Sequence, residues 1–207
     1  MKSTTIFIAT IGILLGHYLN AQTFIEANSK NWTEHRGKAT FEGDVIHLKE
    51  TGGTAILWVN GVNFKNGTVE LDIKGKDERG NSFVGLAFHG ADDENYDAVY
   101  FRPFNFKSVE KKNNAMQYID APKNVWHVLR KKYPGKYESA VQPVPDPNDW
   151  FHAKIVINYP EVKVYVNDST TPTFVVEQIS KRREGKIGLW VDSEDGWFRN
   201  VTITEDN

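Results

Sequence analysis

His89, Tyr100 and Arg102 are the residues whose types and spacing could do chemistry. An imidazole titrates near neutral pH and serves as a general base, and a guanidinium holds a carboxylate or a sugar hydroxyl. The three stand on two apolar segments, residues 82–89 and 97–106, joined by an acidic turn at 90–96. Strand side chains alternate between faces. Val84, Leu86 and Phe88 then point one way, and Phe83, Gly85, Ala87 and His89 the other. On the second segment Val99 and Phe101 share a face, and Tyr100, Arg102 and Phe104 share the opposite one. Alternation thus predicts a shallow polar groove floored by Gly85 and Ala87 and flanked by His89, Tyr100 and Arg102. Asp92, Asp93 and Asp97 belong to the same constellation. Turn carboxylates of this kind cap backbone amides. With backbone carbonyls they also form a candidate Ca²⁺ set, although the spacing is not that of an EF-hand loop.

Two further groups of residues qualify. Glu70 and Asp72 lie on one face of an alternating segment, roughly 6.5–7 Å apart by backbone rise. Paired carboxylates at such separations perform glycoside hydrolysis; solvated partners of Lys or Arg are the plainer reading. Trp126 and Tyr133, in an irregular stretch, offer flat apolar faces to a pyranose ring. Trp58, Tyr137 and Trp190 are further stacking candidates, while the patterning sends Trp150 and Trp190 toward the core. Gln117 sits on a short segment whose outward face the pattern does not fix.

The elements that must position these groups read as strands. Gly67–Lys74 alternates cleanly, with Val69, Leu71 and Ile73 inward. Short alternating runs at 38–48, 54–59, 115–119, 150–159, 162–167, 174–178, 186–191 and 198–204 give eleven or twelve strands in all. Residues 24–36 read as a polar leading segment with Trp32 laid against the domain. Residues 120–149 are irregular, with five prolines and one helical turn at 124–132. An insertion of that length is a functional lid or a loop tacked down by aromatics. Many short strands with turns between them make an all-β antiparallel sandwich or barrel.

Composition narrows the classes. The chain has 207 residues, a formal net charge of −2, 13% aromatic residues and no cysteine. That excludes thiol chemistry and thiolate metal sites, and the charge argues against a nucleic-acid partner. Lys2 followed by an apolar run at 6–15 and a small residue at Ala21 reads as a signal peptide spanning 1–21. The mature chain, 22–207, is then one domain, secreted or periplasmic and of bacterial character. No later stretch is long and apolar enough to span a membrane.

The last third carries a resemblance. Val162-Lys163-Val164-Tyr165-Val166-Asn167, then Gly185-Lys186-Ile187-Gly188-Leu189-Trp190, then Phe198-Arg199-Asn200-Val201 follow a strand led by Trp150. Residues 64–73 fit an early strand of the same pattern. The chain resembles the concanavalin A-like lectin/glucanase superfamily, and within it laminin-G-like domains and the 3-keto-disaccharide hydrolase group. The resemblance implies a jelly roll whose curved sheet presents Glu70, Asp72, His89, Tyr100, Arg102 and one face of Gln117 to a glycan. Glu70-x-Asp72 also resembles the Glu-x-Asp-x-x-Glu motif of retaining glucanases, but Gly75 stands in the third place. Three functions follow as expectations. The first is a carbohydrate-binding domain using Tyr100, Asp97, Gln117, Trp126, Tyr133, Glu70 and Asp72. The second is a sugar-cleaving enzyme with His89 and Arg102 central. The third is a laminin-G-like protein-interaction domain.

Overall fold

Along Gly67–Lys74, Val69, Leu71 and Ile73 are buried and the residues between them are partly exposed, as alternation requires. That strand lies in a computed structural model that describes residues 22–206; the expected signal peptide falls outside them. In chain order the strands are β1 (Gln22–Phe24), β2 (Trp32–His35), β3 (Gly37–Glu42), β4 (Val45–Glu50), β5 (Ala55–Val59), β6 (Gly67–Lys74), β7 (Phe83–Gly90) and β8 (Asp97–Phe101). They continue as β9 (Met116–Asp120), β10 (Glu138–Ser139), β11 (Phe151–Asn158), β12 (Glu161–Val166), β13 (Phe174–Glu177), β14 (Lys186–Asp192) and β15 (Asp195–Glu205). One helix, α1 (Trp126–Lys132), interrupts them.

The strands form two antiparallel sheets, ordered β13-β12-β11-β6-β15-β4-β3 (with β1 also on β15) and β10-β9-β8-β7-β14-β5-β2. They pack face to face as a β-sandwich of the jelly-roll kind. Leu71, Ile73, Ile155 and Phe198 of the first sheet meet Val84, Leu86, Val99 and Leu189 of the second in one core. The outer face of the first sheet meets solvent, so its strands alternate. The second sheet differs: β5, β8 and β9 are buried on both faces. The insertion packs over β9 and its neighbour β8, with Leu129 of α1 fully buried and β10 paired with β9, while Trp58 of β5 is covered from the 90–96 turn by Asp93 and Tyr96.

Four expectations are corrected here. The leading segment, read without a strand, carries one at Trp32–His35 that pairs with β5, with Trp32 buried against the domain as expected. The second site segment ends at Phe101, since Pro103 has no N–H to continue a ladder and starts a 3-10 turn, Pro103–Asn105. The insertion holds the expected helical turn as α1 and adds β10, a short strand the pattern did not show. Fifteen strands are present among the described residues, the extra ones being short edge pieces.

Gly85, at the centre of β7, lies between Tyr100 of β8 and Trp190 of β14. A Cβ there would sit 2.2 Å from the Val99 carbonyl oxygen and 2.6 Å from Tyr100 Cα. Both are backbone atoms of a paired strand and cannot rotate away. Gly85→Ala should therefore cost about 1–3 kcal/mol of stability, as overpacking does. Urea unfolding checks this; an unchanged midpoint would contradict it.

Candidate functional site

The absent side chain at Gly85 lets two aromatic rings meet. Tyr100 and Trp190 stand on the strands either side of β7, and they stack above the glycine with centroids 4.6 Å apart and planes at 22°. Phe83 packs edge-on against Tyr100 at 6.0 Å and against Phe104 at 5.4 Å. Tyr96 joins through its hydroxyl, which accepts from Trp190 Nε1 at 3.2 Å. These rings make an apolar floor on the outer face of the second sheet.

α1 and the loop before β7 raise walls over that floor. Between them lie two adjoining hollows of about 280 and 380 Å³, which share Gly80, Phe83 and Trp126. The first continues to Arg102, Asn105, Lys111, Asn114 and Arg130. The second continues over Tyr96, Tyr100 and Trp190 to Thr54, His127, Asp192 and Ser193. Trp126 is 45% exposed and stands at the junction. Arg130 lies 5.0 Å from its ring centroid and is itself held by Glu138 in a fork of 2.6–3.1 Å bonds.

Arg102 is the buried polar centre of the first hollow, at 5% exposure. Its guanidinium lies 4.9 Å from the Tyr100 ring centroid. It donates to the Tyr100 hydroxyl at 2.8 Å, to the Asn114 carbonyl at 2.8 Å and to Gln117 Oε1 at 3.4 Å. Every one of these acceptors is neutral. Burial pushes the Tyr100 phenol up to about 12, against the pull of Arg102, so it keeps its proton at neutral pH. Tyr100 thus stands in the cleft as a neutral hydrogen-bonding group. Asp192 is the one carboxylate lining either hollow among the described residues, and it accepts from Thr54 Oγ1 at 2.5 Å and Ser193 Oγ at 2.8 Å. It closes β14 at a two-residue turn in which Ser193 and Glu194 have φ of 55° and 95°. Such φ values usually call for Asn or Gly, so this backbone is strained.

The expected grouping is only partly realised. Tyr100 and Arg102 share the cleft with Trp126, as alternation predicts. His89 does not join them. The pairing of β7 with β14 slips between Lys186/Gly90 and Gly188/Ala87, leaving an extra residue on β7, and His89 takes φ 48°. This bulge turns the imidazole away from the groove face. His89 is fully buried, 6.1 Å from the Phe64 ring. Its Nε2 donates to the Lys65 carbonyl at 2.7 Å, and Nδ1 accepts from the Gln178 amide at 3.1 Å. Burial lowers its pKa, so it is neutral, and it has no path to the cleft as a base.

Asp97 also faces inward. It accepts from Tyr118, from Ser180 at 2.7 Å and from Arg182 Nε at 3.1 Å; burial raises its pKa in spite of the arginine. Gln117 lies on the Tyr100 side, but its amide is spent on the carbonyls of Tyr118 and Tyr137, at 2.9 and 2.8 Å. Tyr133 packs against Tyr137 and does not line the cleft. Glu70 and Asp72 are on the other sheet. Asp72 binds His152 at 3.0 Å, Arg199 at 3.1 Å and Asn200 at 2.8 Å, and Glu70 lies 3.6 Å from His152. Burial alone would raise the Asp72 pKa, but these bonds outweigh it and hold the carboxyl below its usual range. The candidate Ca²⁺ set does not fit either. Asp92 caps the amides of Glu94 and Asn95, Asp93 takes Trp58 and Lys186, and Asp97 is sealed inside. Among the described residues, no group of three or more His, Asp or Glu converges as a metal site would require.

Comparison with known proteins places the chain. The profile of the 3-keto-alpha-glucoside-1,2-lyase-like domain matches residues 21–204. The chain belongs to that family. No curated protein matches it in sequence. Among solved structures, the carbohydrate-binding module CBM66 from Bacillus subtilis is 19% identical, with a TM-score of 0.61 over 84% of this chain and 96% of its own. The Bacillus licheniformis beta-glucanase is 11% identical, with a TM-score of 0.59 over 90% of this chain and 98% of its own. The Ca²⁺-bound exoplasmic/lumenal domain of VIP36 is 10% identical, with a TM-score of 0.58 over 87% of each chain. At these identities the likeness is one of fold. The chain thus shares its jelly-roll fold with a carbohydrate-binding module, a beta-glucanase and the VIP36 exoplasmic/lumenal domain.

Sequence reasoning missed Tyr96 and Arg130, gave Phe83 its face but no role, and, while counting Trp190 among the stacking candidates, sent it toward the core. Trp190 is only 3% exposed, so its burial is real, but its ring lies on the outer face. The signal was its place one residue out of step with Leu189 and Val191.

Two outcomes test this geometry. Tyr100→Phe keeps the stack but strips a buried charged donor of its acceptor, and should cost about 1–3 kcal/mol in chemical unfolding. Second, below its ordinary 6.5, His89 gains a proton in the unfolded chain before it does in the fold. Wild-type stability should therefore fall on acidification from pH 6.5 to pH 5, by up to about 2 kcal/mol more than that of His89→Gln. Parallel curves for the two proteins would contradict a buried neutral imidazole.

Proposed function

We propose that this protein is exported and binds a glycoside in the cleft above the Tyr100–Trp190 stack. The observation that carries the reading is the pairing of an exposed Trp126 with an aromatic floor and a ring of hydrogen-bonding groups. A pyranose has an apolar C–H face and an equatorial rim of hydroxyls. The rings suit the face, and Arg102, Asn114, Thr54 and Asp192 suit the rim. Export rests on the leader-like pattern of residues 1–21. The jelly-roll fold and the family support carbohydrate as the ligand class.

A second reading is catalytic, and family membership favours it. Hydrolysis with paired carboxyl groups is disfavoured, because the cleft supplies Asp192 alone. A 1,2-elimination from a 3-keto-glucoside needs one base. The base removes the C2 proton, made acidic by the neighbouring ketone; the electron pair forms the C1–C2 double bond; the C1–O bond breaks and the departing alkoxide takes a proton. His127 and Asp192 line the second hollow and are the groups able to accept the C2 proton there. A cation such as Arg102 would stabilise the enolate oxygen. Formation of the conjugated enone is read by ultraviolet absorbance. No turnover of 3-keto-glucosides by wild type would reject this reading and leave the binding reading intact.

The binding reading is tested by Trp126→Ala, a partly exposed position whose loss leaves the core untouched. Calorimetry with the best-retained member of a glycan array should show affinity reduced at least about tenfold, the equivalent of about 1.4 kcal/mol. Retention of full affinity would place the sugar elsewhere.

A further inference from the structure

The first hollow carries an excess of positive charge that sugar hydroxyls do not require. Arg79, Arg102, Lys111 and Arg130 line it, and no carboxylate does. Glu138 neutralises Arg130 through its forked contact. Among the described residues, no Asp or Glu oxygen lies within the 4.0 Å of an ion pair from Arg79, Arg102 or Lys111. Arg102 is the decisive one. A buried cation is ordinarily paired with a carboxylate, because desolvation is costly. Here burial does weigh against the charge, yet among the described residues its guanidinium donates to a phenol, a carbonyl and an amide and lies against the Tyr100 and Phe83 rings, with no carboxylate in contact. The whole chain is slightly acidic, at −2, so this local excess does not follow from composition.

We propose that the ligand is an anionic glycoside whose carboxylate or sulfate docks in the hollow formed by Arg79, Arg102 and Lys111. The proposal rests on the cleft being the glycan site. The two hollows join at Phe83 and Trp126, so a ring lying on Trp126 can turn a charged substituent toward Arg102 while its uncharged end faces Asp192. Polarity is thereby set: the anion goes to the arginine end, away from the carboxylate. Guanidinium groups bind carboxylate and sulfate oxygens with charge-assisted bonds stronger than those to a hydroxyl.

The test compares three tetrasaccharides by calorimetry at low and physiological salt: neutral galactose, its uronate counterpart and its sulfated counterpart. Wild type should bind at least one anionic form about tenfold or more tightly than the neutral form. That advantage should shrink as salt rises. The uronate and sulfate arms tell which anion is preferred. Lys111→Glu and Arg79→Glu change exposed side chains and should fold normally. Each should cut anionic binding severalfold or more, and by a larger factor than it changes neutral binding. Arg102→Met should abolish the preference; should it fail to fold, the exposed pair still decides. Equal affinity for all three sugars would overturn the anionic proposal alone and leave the cleft reading standing. Anionic binding unaffected by both charge reversals would overturn it too. Binding of no sugar at all would overturn both.

Discussion

The Tyr100–Trp190 stack over Gly85 is the contact on which the outer face of the second sheet depends. Adjacent strands run roughly 4.8 Å apart, so residues two strands away do not ordinarily touch. The rings close that gap because the strand between them carries no side chain at their level. The exchange has consequences in both directions. Below, β7 and β8 approach closely enough that a single methyl group would strike backbone. Above, the stacked rings form a platform, and Arg102 is laid against it with its charge turned to the first hollow. The insertion then needs only α1 and one short strand to build a wall, with Trp126 at its edge.

Charge is divided differently between the two sheets. On the first sheet, Glu70, Asp72, His152 and Arg199 satisfy one another, and the result is a solvated but closed network. On the second sheet, cations outnumber carboxylates in the cleft, and the most buried of them lacks an ionic partner. Self-satisfied charges hold a surface together; an unpaired one, kept at the cost of desolvation, is available to a ligand. The residue pair with glucanase-like spacing is thus bonded within its own sheet, and residues with no motif at all line the cleft.

Much of the fold was legible in the sequence because alternation is a direct consequence of strand geometry. Gly67–Lys74 is read to the residue, and the Val-x-Val-x-Val run of β12 is similarly unambiguous. What escaped is local and identifiable. The β7 bulge adds one residue, and one residue inverts every later side chain, so His89 changed sides with no mark in the sequence. The double burial of β8 and β9 depends on a cover drawn from a distant insertion, and that of β5 on the 90–96 turn, and periodicity carries no information about what lies above a sheet. Glu70 and Asp72 were assigned the right face of the right strand, but which of two sheets that strand joins is a matter of topology.

The account is tested most directly by following the six indole N–H signals during titration with a retained glycan by ¹⁵N-edited NMR. Trp126 and Trp190 line the cleft, whereas Trp150 and Trp197 sit against Arg199 and His47 of the first sheet. The structure predicts saturable shifts of Trp126 and Trp190, with Trp150 and Trp197 unmoved. Shifts confined to Trp150 and Trp197 would move the ligand to the opposite sheet and contradict the central claim.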